Sequence, residues 1–135
     1  MRVVLLCAIF VFFCITSRQA VTIVQVEKNL LKYLTSVNLM NILTNKRIMA
    51  MYMKCLLRRG PCSPEIRDFR RLLPRFLKHL CSYCNEQESE SLRIIFQFVK
   101  SRRPEEWKQL EDVYDPKRIN TDRIEKFIGK RSNNI

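Results

Sequence analysis

The chain has 135 residues, with 25 Lys and Arg against 13 Asp and Glu for a formal net charge of +12. That length suits one domain with a single core and leaves little room for a second. With two glycines, five prolines, no low-complexity tract and no repeat of solenoid length, it excludes a linker-like or repeat protein.

Met1 and Arg2 give a short basic start, Val3 to Ile15 is an uninterrupted apolar run, and Thr16, Ser17 and Arg18 return to polar chemistry. This is the pattern of a secretory signal peptide over 1–17, with cleavage placed between 17 and 20 because Arg18 spoils the small-residue rule before Ala20. A bilayer core needs roughly 20 apolar helical residues, so the run is too short for a comfortable span, and a retained membrane anchor is the lesser alternative. Removing Arg2 with the leader leaves 24 basic against 13 acidic side chains, a balance of +11 in the mature domain 18–135. The tail from 117 is the least defined part of that domain.

The mature chain carries helix punctuation and no strand or hairpin signal. Glu27 to Leu43 reads as one broken helix or two short ones. From Asn45 to Arg59 apolar residues surround most of the wheel, which predicts a largely buried helix with Gly60 as its left-handed cap. Ser63, Pro64 and Glu65 form a helix start as N-cap, first-turn proline and dipole-facing acid. The helix that follows places Ile66, Phe69, Leu72, Leu73, Phe76, Leu77 and Leu80 at three- and four-residue spacing, with Pro74 expected to loosen its middle turn. Asn85 with Glu88 resembles a capping box opening a helix through Leu92, Ile95, Phe96 and Val99. Pro104, Glu105 and Glu106 open another, stopped at Asp115-Pro116. A last segment, Thr121 to Ile128, puts Ile124, Phe127 and Ile128 on one face. The expectation is a compact all-α domain of about six helices.

Cys55, Cys62, Cys81 and Cys84 stand in the frame C-x6-C-x18-C-x2-C. With Cys7 and Cys14 lost in the leader, four thiols entering an oxidising compartment have three possible pairings. Spacing favours neighbours, Cys55 with Cys62 across Gly60-Pro61 and Cys81 with Cys84 one helical turn apart. A four-cysteine zinc site is the rival, and it is weakened by the C-x6-C half and by export. No metal or other cofactor is expected.

The stretches YMKCLLRRGPCSPE (Tyr52 to Glu65), LCSYCNEQ (Leu80 to Gln87) and PEEWKQLEDVYDP (Pro104 to Pro116) resemble the insect chemosensory proteins, also called the OS-D or ejaculatory-bulb-specific-protein-III type. The resemblance runs from about Ile42 to Pro116. It implies a secreted six-helix fold, two short-loop disulfides, Cys55-Cys62 and Cys81-Cys84, and an internal apolar channel for long-chain ligands such as fatty acids, alcohols or pheromone-like molecules. The segment Leu34 to Leu43, LTSVNLMNIL, departs from the family's acidic, tyrosine-bearing lead, with Met40 and Asn41 where an Asp-Glu pair is usual.

By that resemblance Tyr52 matches a cavity-lining tyrosine, whose hydroxyl can meet a polar head group while its ring contacts the chain. Met49, Met53 and Leu56 on the same helix, with Phe69, Leu73, Ile95 and Val99 from facing helices, are the remaining wall candidates. Met40, Met49, Met51 and Met53 cluster in sequence, and flexible thioethers adapt to varied ligands. The same stripe would serve as plain core.

No catalytic constellation is present. His79 is the sole histidine, and there is no G-x-S-x-G elbow, P-loop or H-E-x-x-H pair, so the chain is not expected to be an enzyme. The second function class is a cationic secreted interaction protein. Its base pairs Arg58-Arg59, Arg70-Arg71, Arg102-Arg103, Lys117-Arg118 and Lys130-Arg131 would meet anionic membranes, microbial surfaces or a receptor. The expected partner is a small hydrophobic ligand, with a receptor or anionic surface second. Nucleic acid is not expected for an exported chain, and a monomer is the expected state.

Overall fold

The computed structural model describes residues 1–130, apart from the side chains of 15–22; Arg131 of the last basic pair lies outside the described residues, as do the side chains at the expected cleavage positions. The described residues form seven helices: α1 (Arg2–Ser36), α2 (Leu39–Leu43), α3 (Lys46–Leu56), α4 (Pro64–His79), α5 (Glu86–Arg102), α6 (Pro104–Tyr114) and α7 (Thr121–Gly129). The all-α expectation holds. The count rises from six to seven because the stretch from Glu27 to Leu43 resolves into the end of α1 and the separate α2.

Local chemistry explains most of the boundaries. Asn38 and Asn45 cap α2 and α3 by accepting from the main-chain N–H of Asn41 and Ile48. Asn85 and Glu88 form a reciprocal capping box at the start of α5. Pro64 sits in the first turn of α4 with Glu65 facing the dipole, while the hydroxyl of Ser63 makes no capping bond. Pro74 is accommodated inside α4, which runs on to His79. The turn after α3 corrects the sequence reading. The helix ends at Leu56, and the residue with left-handed backbone is Arg58 at φ 60°, not Gly60. A side chain at Gly60 would bring Cβ within 3.1 Å of Lys54 Cβ, so the glycine answers to space rather than to φ.

Two disulfides close this framework, Cys55 to Cys62 and Cys81 to Cys84. Phe76, Leu72, Leu92 and Cys55 are the most deeply buried side chains, and the core around them draws on Leu30, Leu31 and Leu34 of α1 and on Ile124 and Phe127 of α7. The apolar leader side chains, Val3 to Leu6 and Ile9 to Phe13, lie exposed outside that core. Among the described residues no helix is long and apolar enough to cross a membrane.

Candidate functional site

A cavity of about 110 Å³ lies between the helices, and every one of the seven contributes to its wall. The α1 and α2 side is Leu30, Tyr33, Leu34, Leu39, Ile42 and Leu43; α3 gives Met49, Tyr52, Met53 and Leu56. From α4 come Glu65, Ile66, Phe69, Leu73 and Leu77, and from α5 Ile95, Phe96 and Val99. Trp107, Leu110, Glu111 and Tyr114 of α6, Asp115 beyond it and Ile124 of α7 complete the lining.

Spacing puts these residues there. Met49, Met53 and Leu56 recur at helical intervals on α3, as do Ile66, Phe69 and Leu73 on α4, so each helix turns one stripe to the same space. Aromatic packing stiffens the wall: Phe96 meets Trp107 edge-on at 5.9 Å and Phe127 at 6.1 Å, and Phe69 packs on Phe76 at 5.8 Å.

All eight wall candidates from the sequence, Tyr52, Met49, Met53, Leu56, Phe69, Leu73, Ile95 and Val99, lie on the lining. The methionine cluster divides. Met49 and Met53 are buried against the cavity, whereas Met40 and Met51 are half in solvent and take no part in it. Sequence reasoning missed the α1–α2 side, although Leu30 and Leu34 are one turn apart, and it missed Tyr114, which extends the Trp107 and Leu110 stripe by one more turn.

Polar groups on the lining fall into two sets. Tyr52 lies near Tyr33 and Glu65. Its phenol is pushed up chiefly by burial and further by those two neighbours, while the Ser63 hydroxyl works the other way. Tyr114 donates its hydroxyl to the carbonyl of Leu56 at 2.6 Å. Burial raises its pKa against the lowering effect of Arg58 and Arg70, and the Arg58 guanidinium carbon stands 6.0 Å from its ring centre. Glu111 pairs with Arg118 at 2.9 Å. Asp115 is buried and accepts from the main-chain N–H of Ile119 and Asn120, which fixes the turn into α7.

Elsewhere the basic pairs are only partly free. Arg103 is tied to Glu106, and Arg118 to Glu111 and Asp112. His79 closes α4 and meets Tyr83 edge-on at 5.9 Å. Among the described residues no three His, Cys, Asp or Glu side chains gather to hold a metal.

An all-helical chain with these two short disulfide loops around an apolar cavity can be compared with known proteins. Residues 31–122 match the model of the insect pheromone-binding family, A10/OS-D. The chain belongs to that family. Within the A10/OS-D proteins it is 37% identical over 91 residues to ejaculatory bulb-specific protein 3 of Drosophila melanogaster, covering 65% of this chain and 72% of that one. It is 34% identical over 88 residues to allergen Tha p 1 of Thaumetopoea pityocampa, covering 65% and 70%. Among solved structures it is similar to a chemosensory protein in complex with bromo-dodecanol, with a TM-score of 0.60 and 28% identity over 68% of this chain and 92% of the other. The antennal chemosensory protein A6 of the moth Mamestra brassicae gives a TM-score of 0.57 and 29% identity, over 67% and 88%.

Proposed function

We propose that this A10/OS-D protein is a secreted carrier that takes single long-chain apolar molecules, such as fatty acids, alcohols or pheromone-like and cuticular lipids, into the channel between its helices. The observation that carries this reading is the wall itself, drawn from all seven helices and apolar apart from its tyrosines, the Trp107 indole N–H and three carboxylates. An ordered water needs roughly two to four polar partners, which the aliphatic stretches of this wall do not offer, so an apolar occupant is favoured over solvent. The similarity to a chemosensory protein solved with bromo-dodecanol supports the same reading.

Each buried methylene contributes about 0.8 kcal/mol of transfer free energy, so a twelve-carbon chain gains on the order of 10 kcal/mol before ordering and association costs of several kcal/mol. Micromolar affinity and loose selectivity follow, since one methylene changes apolar binding by only about 1–3 kcal/mol. Met49, Met53, Leu56, Phe69, Leu73, Ile95 and Val99 would hold the chain, and Tyr52 would offer its hydroxyl to a neutral polar head.

Competition of C10 to C20 acids, alcohols, aldehydes and esters against an apolar fluorescent probe on the oxidised protein tests this. Saturable displacement with a chain-length optimum is the expected result. No displacement with the helices intact would mean that the helix faces form closed core.

The same reading makes 1–17 a secretory leader. The first side chains packed against the core are Ile23 and Val26, both in the mature domain, and none described within 1–14 belongs to it. N-terminal sequencing of the exported protein should start between residues 18 and 21, and a start at Met1 would contradict it.

A further inference from the structure

We propose that the cavity prefers chains ending in an anionic head group, a carboxylate, which is received at a basic edge formed by Arg58 and Arg70 around Tyr114. This deepens the carrier reading and rests on it.

Tyr114 belongs to the lining, but its hydroxyl proton is committed to the carbonyl of Leu56 at 2.6 Å. Donors for a ligand at this edge must therefore come from elsewhere, and guanidinium groups are at hand. Arg58 places its guanidinium carbon 6.0 Å from the Tyr114 ring centre, out of a turn whose backbone is restrained. Its N–H donates to the carbonyl of Cys55 at 3.0 Å, the N–H of Arg59 donates to Lys54 at 2.7 Å, and the Cys55–Cys62 disulfide closes the turn. Arg58 also occupies left-handed backbone, φ 60°, which disfavours any residue but glycine, although Gly60 lies two positions away in the same turn. Backbone of this kind concentrates at sites where a side chain must be aimed.

Arg70 approaches from α4. It follows Phe69 and lies one turn from Ile66 and Leu73, all three on the lining. Both arginine charges act on the Tyr114 phenol, where they oppose the effect of burial.

Neither arginine has an ion-pair partner among the described residues, whereas the carboxylates at this edge are already engaged. Glu111 is paired with Arg118, and Asp115 accepts two main-chain N–H bonds. Glu65 and Tyr33 lie near Tyr52, and the Glu65 carboxylate would repel an anionic head there. A carboxylate is thus drawn to Tyr114, with the chain running along the aliphatic wall, and a bidentate arginine contact suits it.

The test measures displacement of an apolar fluorescent probe by dodecanoic acid, dodecanol and methyl dodecanoate at neutral pH and low ionic strength. The acid should bind roughly fivefold tighter than the alcohol, and added salt should shrink that advantage. The double variant Arg58→Gly with Arg70→Gln, in which glycine suits the backbone at 58, should bring the acid-to-alcohol ratio close to one. Removing the same charge elsewhere with Arg102→Ala and Lys126→Ala should leave the ratio in place. Equal binding of acid and alcohol by the parent protein overturns the proposal, as does a preference that survives the first double variant or is lost equally in the second. If none of the three compounds displaces the probe, the carrier reading fails and this proposal with it.

Discussion

Arg75 of α4 lies 2.7 Å from the carboxylate of Glu27 in α1, which is 4% exposed, and Tyr83 of the Cys81–Cys84 loop donates its hydroxyl to the other oxygen of the same carboxylate. The guanidinium carbon also stands 5.4 Å from the Tyr83 ring centre. The end of α1 therefore meets two consecutive segments remote from it in sequence, α4 and the Cys81–Cys84 loop, at one buried charge. That junction holds the end of α1, with Leu30 and Leu34, against the cavity.

Removing the cation leaves that charge without its ion-pair partner. For a fully buried pair the cost is about 3–5 kcal/mol, but the Arg75 side chain is 40% exposed, so we expect about 2 kcal/mol for Arg75→Met. Glu27→Gln, which keeps an acceptor, should cost about 1 kcal/mol. Urea denaturation of both single variants and the double variant measures the coupling. Additive losses would show that the pair contributes nothing of its own.

Tyr83 gives this junction a pH signature. Burial and the bond to Glu27 push its pKa from 10 up to about 12, against the opposing influence of Arg75. Between those values the unfolded chain has lost the phenolic proton while the folded one keeps it, so stability falls as pH rises from 10 toward 12. Tyr52 and Tyr114 are also raised and add to the slope. Tm measured from neutral to strongly alkaline pH should decline, and Tyr83→Phe should make the decline shallower. An unchanged slope in that variant would place the proton linkage elsewhere.

The two disulfides should differ in effect. Cys55 is fully buried, and its loop is longer than the one between Cys81 and Cys84, so the loop-entropy account gives about 2.5 kcal/mol for the first and about 2 kcal/mol for the second. Replacing Cys55 and Cys62 by alanine also frees the turn that aims Arg58. Thermal unfolding should show the larger loss there, together with a weaker acid preference. Replacing Cys81 and Cys84 should lower Tm while sparing that preference.

Much of this was legible in the sequence because it is written in short-range chemistry. The Asn85 cap, Pro64 and Pro104 in first turns, and the stripe Ile66, Phe69 and Leu73 all depend on neighbours within a turn or two. The eight wall candidates rested on a family resemblance joined to such stripes. What escaped depends on contacts across the fold. Met51 reads like Met49 and Met53 but turns to solvent, because α3 buries only one face. Glu27 resembles any helix-surface acid until Arg75 and Tyr83 reach it. Gly60 looks like the left-handed cap, yet the turn closed by the disulfide places that backbone at Arg58 and leaves glycine to clear Lys54.

Filling the cavity separates a binding space from ordinary core. Val99 is buried on the lining, while Leu92 is fully buried in the core and is not part of it. A larger side chain forced into close-packed core costs about 1–3 kcal/mol, because neighbours must leave their rotamers. One that grows into existing space pays little strain and gains contact. Val99→Phe should therefore stay within about 1 kcal/mol of the parent protein while weakening the apolar probe about tenfold or more, because the new ring occupies volume the ligand needs. Leu92→Phe should show the reverse, a clear loss in urea stability with probe binding retained by the folded fraction. Equal destabilisation by the two changes, with binding unaltered in Val99→Phe, would mean that the wall beside Val99 is packed shut and that any ligand sits elsewhere.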